Sequence, residues 1–214
     1  MPVDLLPLSP VEARVLAVLV EKEAVTPDAY PLSLNALVAG CNQKTSRDPV
    51  MDLSDRDVLD ALDGLRAKSL AIESSGGRVM RYSENGRRAL GVPKESVALL
   101  ATLMLRGPQT AAELRANCER LHRFSDVSAT EGFLDELGER SPHPYVRLLP
   151  RQLGARESRW AHLLCGEPVM PDVPVPAHEP GGAGSGAGGL DALRQRVDRL
   201  EAEVAALREA LARR

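Results

Sequence analysis

The chain has 214 residues, 43% of them hydrophobic but only six aromatic, with 27 Lys and Arg against 30 Asp and Glu and a net charge of -3. Residues 1–90 hold 11 basic and 13 acidic groups and residues 91–170 hold 10 of each, so no segment is a polycation and non-specific nucleic-acid affinity is expected to be weak unless basic residues cluster in space. Three scattered cysteines give neither a disulfide framework nor a paired CxxC metal site.

Met1 to Pro10 lacks the positive end and apolar core of a signal peptide. No stretch approaches 18 apolar residues, so a soluble cytoplasmic protein with no membrane contact is expected. With few aromatics, the cores must be built from Leu, Val and Ala, which favours helices.

The first helix opens at Ser9-Pro10-Val11-Glu12: Ser9 as cap, Pro10 in the first turn, Glu12 completing a capping box. Val11, Val15, Val18 and Leu19 share one face, and the helix is expected to end near Glu23. Thr26-Pro27 opens a short turn closed by Pro31, and Ser33 to Cys41 resumes a helix with Leu34, Leu37 and Val38 inward. Asn42 to Met51 is polar, contains Pro49 and reads as a loop. Ser54 to Asp57 caps the next helix, which runs to Lys68 with Val58, Leu59, Leu62 and Leu65 as its buried stripe. Gly64 in its last third either weakens the helix or lets another segment approach closely. Leu70 to Tyr82 then forms a hairpin around Gly76-Gly77.

This order of helix, helix, helix and hairpin is that of a winged helix, and it repeats. Pro93 opens a helix through Val97, Leu100, Ala101 and Met104, and Gly107-Pro108 breaks it. Thr110 to Glu113 is a capping box, and Ser128 to Glu131 reads as another, before Phe133, Leu134 and Leu137. Strands at Tyr145–Leu149 and Arg159–Leu164 flank a second wing with Gly154 at its tip. The predicted fold is mainly α with small β-hairpin wings. It comprises tandem winged-helix domains at 1–90 and 91–167, joined at Glu84 to Val92, a Pro/Gly-rich flexible linker at 168–189 and a coiled-coil helix at 190–214.

The coil rests on Leu190, Leu193, Val197, Leu200, Val204, Leu207 and Leu211, spaced 3-4-3-4 without a fault. Val197 and Val204 at one seam position, with Leu193, Leu200 and Leu207 at the other, favour a parallel homodimer. Arg196 with Glu201, and Glu203 with Arg208, stand in the g-to-e′ relation that pairs opposite charges between strands. The alternative is a surface helix that folds back on its own protein.

Asn42, Gln43, Lys44, Thr45, Ser46 and Arg47 form the most chemically suggestive run. Amides read adenine edges, while Lys, Arg and hydroxyl groups contact phosphate. With Arg78, Arg81, Arg87 and Arg88 they would form a basic edge beside the first wing; Arg147, Arg151, Arg156 and Arg159 crowd the second. Double-stranded DNA is therefore one candidate partner. Against it stands the helix from Ser54 to Lys68, where Asp55, Asp57, Asp60 and Asp63 face Arg56, Arg66 and Lys68, and every exposed carboxylate repels phosphate. The competing reading makes the run a brace, with Asn42 capping its helix and Arg47 paired to Asp48 or Asp52. A protein partner bound by the acidic face and the arginine wings is the alternative function.

Catalysis is not expected. His122, His143, His162 and His178 have no ligand spacing, and no HExxH, Walker or dinucleotide glycine motif is present. Cys41 reads as a small buried residue at a helix end, and no cofactor or metal is implied.

Pro10-Val-Glu-Ala-Arg-Val-Leu, Thr26-Pro-Asp-Ala-Tyr-Pro-Leu-Ser33 and, above all, Asn35 through Asn42-Gln-Lys-Thr-Ser-Arg-Asp-Pro-Val-Met51 resemble the YceH-like (UPF0502) family of bacterial proteins. Leu105-Arg-Gly-Pro-Gln-Thr-Ala-Ala-Glu-Leu-Arg115, Phe124-Ser-Asp126 and Arg156-Glu-Ser-Arg159 before His162-Leu-Leu extend the resemblance from Leu8 to about Glu167, and it resumes in the coil. It implies a dimeric tandem winged-helix protein and supplies no catalytic residues.

Overall fold

The computed structural model describes residues 7–168 apart from Gly76, Arg78 and Leu153. The coil residues Leu193, Val197, Leu200, Val204 and Leu207, and the linker from residue 169 onward, lie outside the described residues, as does the candidate contact Arg78.

Helix α1 spans Pro10–Val25, with the Ser9 hydroxyl accepting from Glu12 N and the Glu12 carboxylate accepting from Ser9 N. Such a reciprocal cap contributes about 1 kcal/mol. A short 3-10 turn at Pro27–Ala29 leads to strand β1 (Leu32–Ser33) and helix α2 (Leu34–Cys41). Helix α3 (Asp55–Ala67) follows, with Ser54 and Asp57 closing its capping box. Strands β2 (Ala71–Ser75) and β3 (Met80–Glu84) form the hairpin, and β1 adds to its β3 edge, giving the antiparallel order β1-β3-β2. Helices around a small sheet whose first strand sits between α1 and α2 make this half winged-helix-like.

The second half continues with helices and a small antiparallel hairpin. Helix α4 (Gly86–Leu90) occupies the stretch read as a junction, and buries Leu90 and the following Val92. Helices α5 (Lys94–Arg106), α6 (Ala111–Cys118) and α7 (Val127–Gly138) precede strands β4 (Val146–Leu148) and β5 (Trp160–His162). Gln109 stands in for the short first strand: it exchanges backbone hydrogen bonds with Trp160, Gln109 N to Trp160 O at 3.1 Å and Trp160 N to Gln109 O at 2.7 Å.

One hydrophobic core runs through both halves, because α1 and α5 pack against each other at its centre. Every residue from Glu12 to Val20 on α1, and from Ser96 to Leu105 on α5, is buried. A helix covered all round must be apolar almost all round. α1 breaks that rule at Glu12 and Arg14. Burying a Leu such as Leu16, Leu19, Leu99 or Leu103 contributes about 1.5–3 kcal/mol each.

Two local readings need correction. Leu59 is 39% exposed; the buried stripe of α3 is Val58, Ala61, Leu62 and Leu65, and Leu59 lies one residue, about 100° of helix, off it. α7 begins two residues before the expected box, capped by Asp126, whose carboxylate accepts from Ala129 N at 2.7 Å. Thr130 is then a buried interior residue, its hydroxyl donating back to Asp126 O at 3.1 Å. The close approach expected at Gly64 is present: a Cβ there would collide with the Glu12 carboxylate.

Candidate functional site

The polar run after α2 divides into an inner and an outer part. Asn42 N donates to Val38 O, closing the helix, and its side chain bridges the loop, with Nδ2 on Leu53 O and Oδ1 on Leu53 N, both at 2.8 Å. The Arg47 side chain is fully buried. It forms an ion pair with Glu21 at 2.6 Å and also donates to Gly40 O, Ser46 O and Gln43 Oε1. Its partner is thus a carboxylate on α1, not the neighbouring Asp48 or Asp52. The loop also reaches α5: Asp48 N donates to Leu105 O at 2.7 Å, and Arg106 donates to Ser46 Oγ at 2.7 Å. Asn42, Gln43 and Arg47 therefore strap the core together, while Lys44 and Thr45 remain at the exposed turn.

The wing arginines differ in exposure and in partners. Arg81 is exposed on β3 and donates to Pro31 O at 2.9 Å. Arg151 and Arg156 are exposed on the second wing. Arg159 is drawn back to the start of α6, donating to Pro108 O at 2.8 Å and Glu113 Oε1 at 3.1 Å. Arg147 is neutralised by Glu167. The structure thus leaves Lys44, Thr45, Arg81, Arg151 and Arg156 on the surface, whereas Arg47 is buried.

In each half the helix before the hairpin exposes carboxylates. α3 presents Asp55, Asp57, Asp60 and Asp63 to solvent against Arg56 and Arg66. Arg56 already lies near Asp60 at 3.9 Å, and Arg66 is held by Asp63 at 3.0 Å and Glu73 at 2.7 Å. Hydrogen bonds from Ser54 hold the Asp57 carboxyl below the usual carboxylate range. α7 exposes Glu131, Asp135 and Glu136 and contains no Lys or Arg. Between α6, α7 and the second hairpin runs a groove of about 500 Å³, with Trp160, Leu148, Val127 and Ala111 as apolar walls and Glu131, Asp135 and Glu157 among its polar lining. Leu148 is 49% exposed, unusual for a large apolar side chain. The missing cations of α7 were visible in the sequence; the groove was not, because the hairpin that closes it lies far along the chain.

Thiol and imidazole chemistry is muted. Burial pushes the Cys41 thiol up to about 12 and the Cys165 thiol up to about 11, and raises Cys118 as well. Thiols at such values stay protonated and unreactive at neutral pH. Burial drives His162 down to about 4, so its imidazole is neutral. Among the described residues no three His, Cys, Asp or Glu side chains are grouped to hold a metal ion, and no helix is long and apolar enough to cross a membrane.

The arrangement defines a mainly helical, winged-helix-like protein whose helices before the hairpins are acidic. Residues 8–155 match the model of a family described as "Protein of unknown function, DUF480". The chain is 61% identical over 212 residues to a UPF0502 protein of Leptothrix cholodnii, covering 96% of this chain and 93% of that one. It is 56% identical over 209 residues to a UPF0502 protein of Delftia acidovorans, covering 96% and 90%, and 56% identical over 201 residues to one of Burkholderia pseudomallei, covering 94% and 85%. The chain belongs to the UPF0502 (YceH-like) family.

Proposed function

We propose that this is a non-enzymatic regulatory scaffold of two tandem winged helices, dimerised through the 190–214 coil, that binds a basic segment of another protein. The observation that carries this reading is the charge on the two helices standing where a recognition helix would stand. α3 has four Asp against two Arg, and α7 has three acids and no base. Either helix placed in a major groove would bring uncompensated carboxylates against phosphate. A cationic peptide meets the same surfaces favourably, and the groove beside α7 offers it an apolar seat at Trp160 and Leu148 within an acidic rim. The protonated, buried thiols support a role without nucleophilic catalysis.

A second reading, duplex DNA bound through the wings, is favoured by the exposure of Lys44, Thr45, Arg81, Arg151 and Arg156. One pair of measurements separates the two. Affinity capture with the full-length chain from its native host should retain proteins that Glu131→Gln/Asp135→Asn/Glu136→Gln loses, with retention falling as salt rises. Labelled duplex at low salt should show no binding at ~10 μM, the level of ordinary non-specific association. Duplex binding at that level, weakened by Lys44→Ala and Arg81→Ala and unchanged or strengthened by neutralising α7, would overturn the protein-partner reading in favour of DNA.

A further inference from the structure

Arg14 is a buried cation with no ion-pair partner among the described residues, the Asp48 carboxylate acting on it only from beyond ion-pair distance. It is 1% exposed and sits in the second turn of α1, facing the loop after α2. Its Nη1 donates to Cys41 O at 3.2 Å and its Nη2 to Pro49 O at 2.6 Å, both neutral carbonyls. Nε is shut off from solvent and has no partner. Arg47, nearby and equally enclosed, is compensated by Glu21; Arg14 forms no ion pair among the described residues. Burial, and then the repulsion of Arg47, lower its pKa. A guanidinium satisfied only by carbonyls is costly to bury, and a counter-charge placed beside it is correspondingly favourable in the low local dielectric.

The space for that counter-charge adjoins it. A cavity of about 310 Å³ is lined by Arg14, Met51, Leu103, Met104 and His162 among others, which brings together α1 and the loop of the first half with α5 and β5 of the second. Two carboxylates also line it, Asp48 and Glu167, both on exposed residues, and Glu167 is already paired with Arg147. Its volume is that of a small-molecule site, and its walls are mainly apolar with few polar groups, the usual composition of such a site. His162 contributes a second polar atom, Nδ1, that is shielded from solvent and lacks a partner. Two unsatisfied buried nitrogens on residues of one ligand-sized cavity are not an ordinary feature of a closed core.

We propose that this cavity binds a small organic monocarboxylate, its carboxylate compensating the Arg14 guanidinium and its apolar body lying against Met51, Leu103 and Met104. Because the walls come from both halves, occupancy strengthens the contact between them, which makes the scaffold ligand-responsive. The inference rests on Arg14 and the cavity alone and stands whichever macromolecule the surface binds.

Hexanoate and phenylacetate, with hexanol and 2-phenylethanol as uncharged counterparts, are the probes. Full-length protein carrying ¹³C-methyl methionine is titrated by NMR and by calorimetry. At least one acid should bind saturably, ~10-fold or more tighter than its alcohol, and move the Met51 and Met104 methyl signals while Met80, on the first hairpin, stays. Arg14→Gln should abolish the preference for the acid. If that variant does not fold, Met51→Trp, which fills the cavity from a half-buried wall position, should remove binding while leaving the unfolding midpoint near that of the wild type. Absence of saturable binding by both acids up to ~10 mM, where fragment-strength ligands register, would overturn the proposal. Equal binding of the alcohols, or shifts at Met80 without shifts at Met51 and Met104, would overturn it as well.

Discussion

Replacing Arg47 by Met separates a brace from a contact surface. The side chain is fully buried, and its Nη2 lies 2.6 Å from Glu21 Oε2. The substitution leaves the Glu21 carboxylate, 15% exposed, with Lys22 Nζ at 3.6 Å as its remaining ion-pair partner among the described residues, and removes the donors to Gly40 O, at 3.1 and 3.3 Å, and to Gln43 Oε1, at 2.9 Å. Breaking a buried pair by removing one partner costs about 3–5 kcal/mol. Glu21 retains some access to water, so the lower end, about 3 kcal/mol, applies. For a chain of this size that lowers the thermal midpoint by roughly 6–12 °C. Lys44→Ala, at the exposed turn three residues earlier, should change stability by no more than about 0.5 kcal/mol. Adding Glu21→Leu to Arg47→Met removes that carboxylate and should recover about 1 kcal/mol or more, since loss of both partners costs less than loss of one. Urea unfolding followed by circular dichroism measures all four. An Arg47→Met protein as stable as the wild type would refute the brace and return Arg47 to the set of surface contacts.

Gly64→Ala should destabilise by about 1 kcal/mol, although Ala favours a helix interior by roughly 0.5–1 kcal/mol. The added methyl displaces the Glu12 carboxylate, which caps Ser9 N at 2.7 Å and pairs with Lys68 at 2.5 Å, and in a Glu12→Ala background the same change should become stabilising by denaturant titration. His162 is held down to about 4 by burial against an ordinary value near 6.5. The unfolded chain therefore binds a proton that the folded one refuses, and stability falls as pH drops from about 6.5 to about 4, by roughly 3 kcal/mol in all. His162→Gln should remove that component, seen as a narrowing of the stability difference between pH 7 and pH 4. Deleting residues 190–214 should weaken self-association in sedimentation experiments at micromolar concentration, and Leu200→Asp should mimic it by placing a carboxylate in the seam; equal masses at every concentration would remove the coil from the dimer.

Local chemistry was legible in most places where the deciding partner lay within about four residues, with the cap of α7 as the exception. The boxes at Ser9, Ser54 and Thr110 read correctly because donor, acceptor and spacing are all local. Ser128 to Glu131 carried an equally good local pattern, and Asp126 won because its carboxylate reaches Ala129 N and places Thr130 in the core. β1 is two residues long, too short for any alternation, and exists only because Leu32 and Ser33 meet Tyr82 and Arg81. The unpaired state of Arg14 was equally hidden: on a helix pattern it marks only one polar position, and its meaning depends on Cys41, Pro49 and a cavity wall that arrives at His162.

The loop between α2 and α3 shows that the most motif-like run is largely a structural brace. In a helix-turn-helix reader the turn is a spacer, and the residues after it project outward. Here the connection is long, and its polar groups turn inward: Asn42 onto Leu53, Arg47 onto α1, and Asp48 N onto the end of α5. A loop that carries a buried ion pair and joins both halves cannot also offer those groups to phosphate. Its exposed remainder, Lys44 and Thr45, supplies a single positive charge. One phosphate contact changes affinity with a salt slope near 0.9, far short of the six to ten contacts behind strong duplex binding. On the proposed reading, the acidic helices and the groove at Trp160 meet the partner instead.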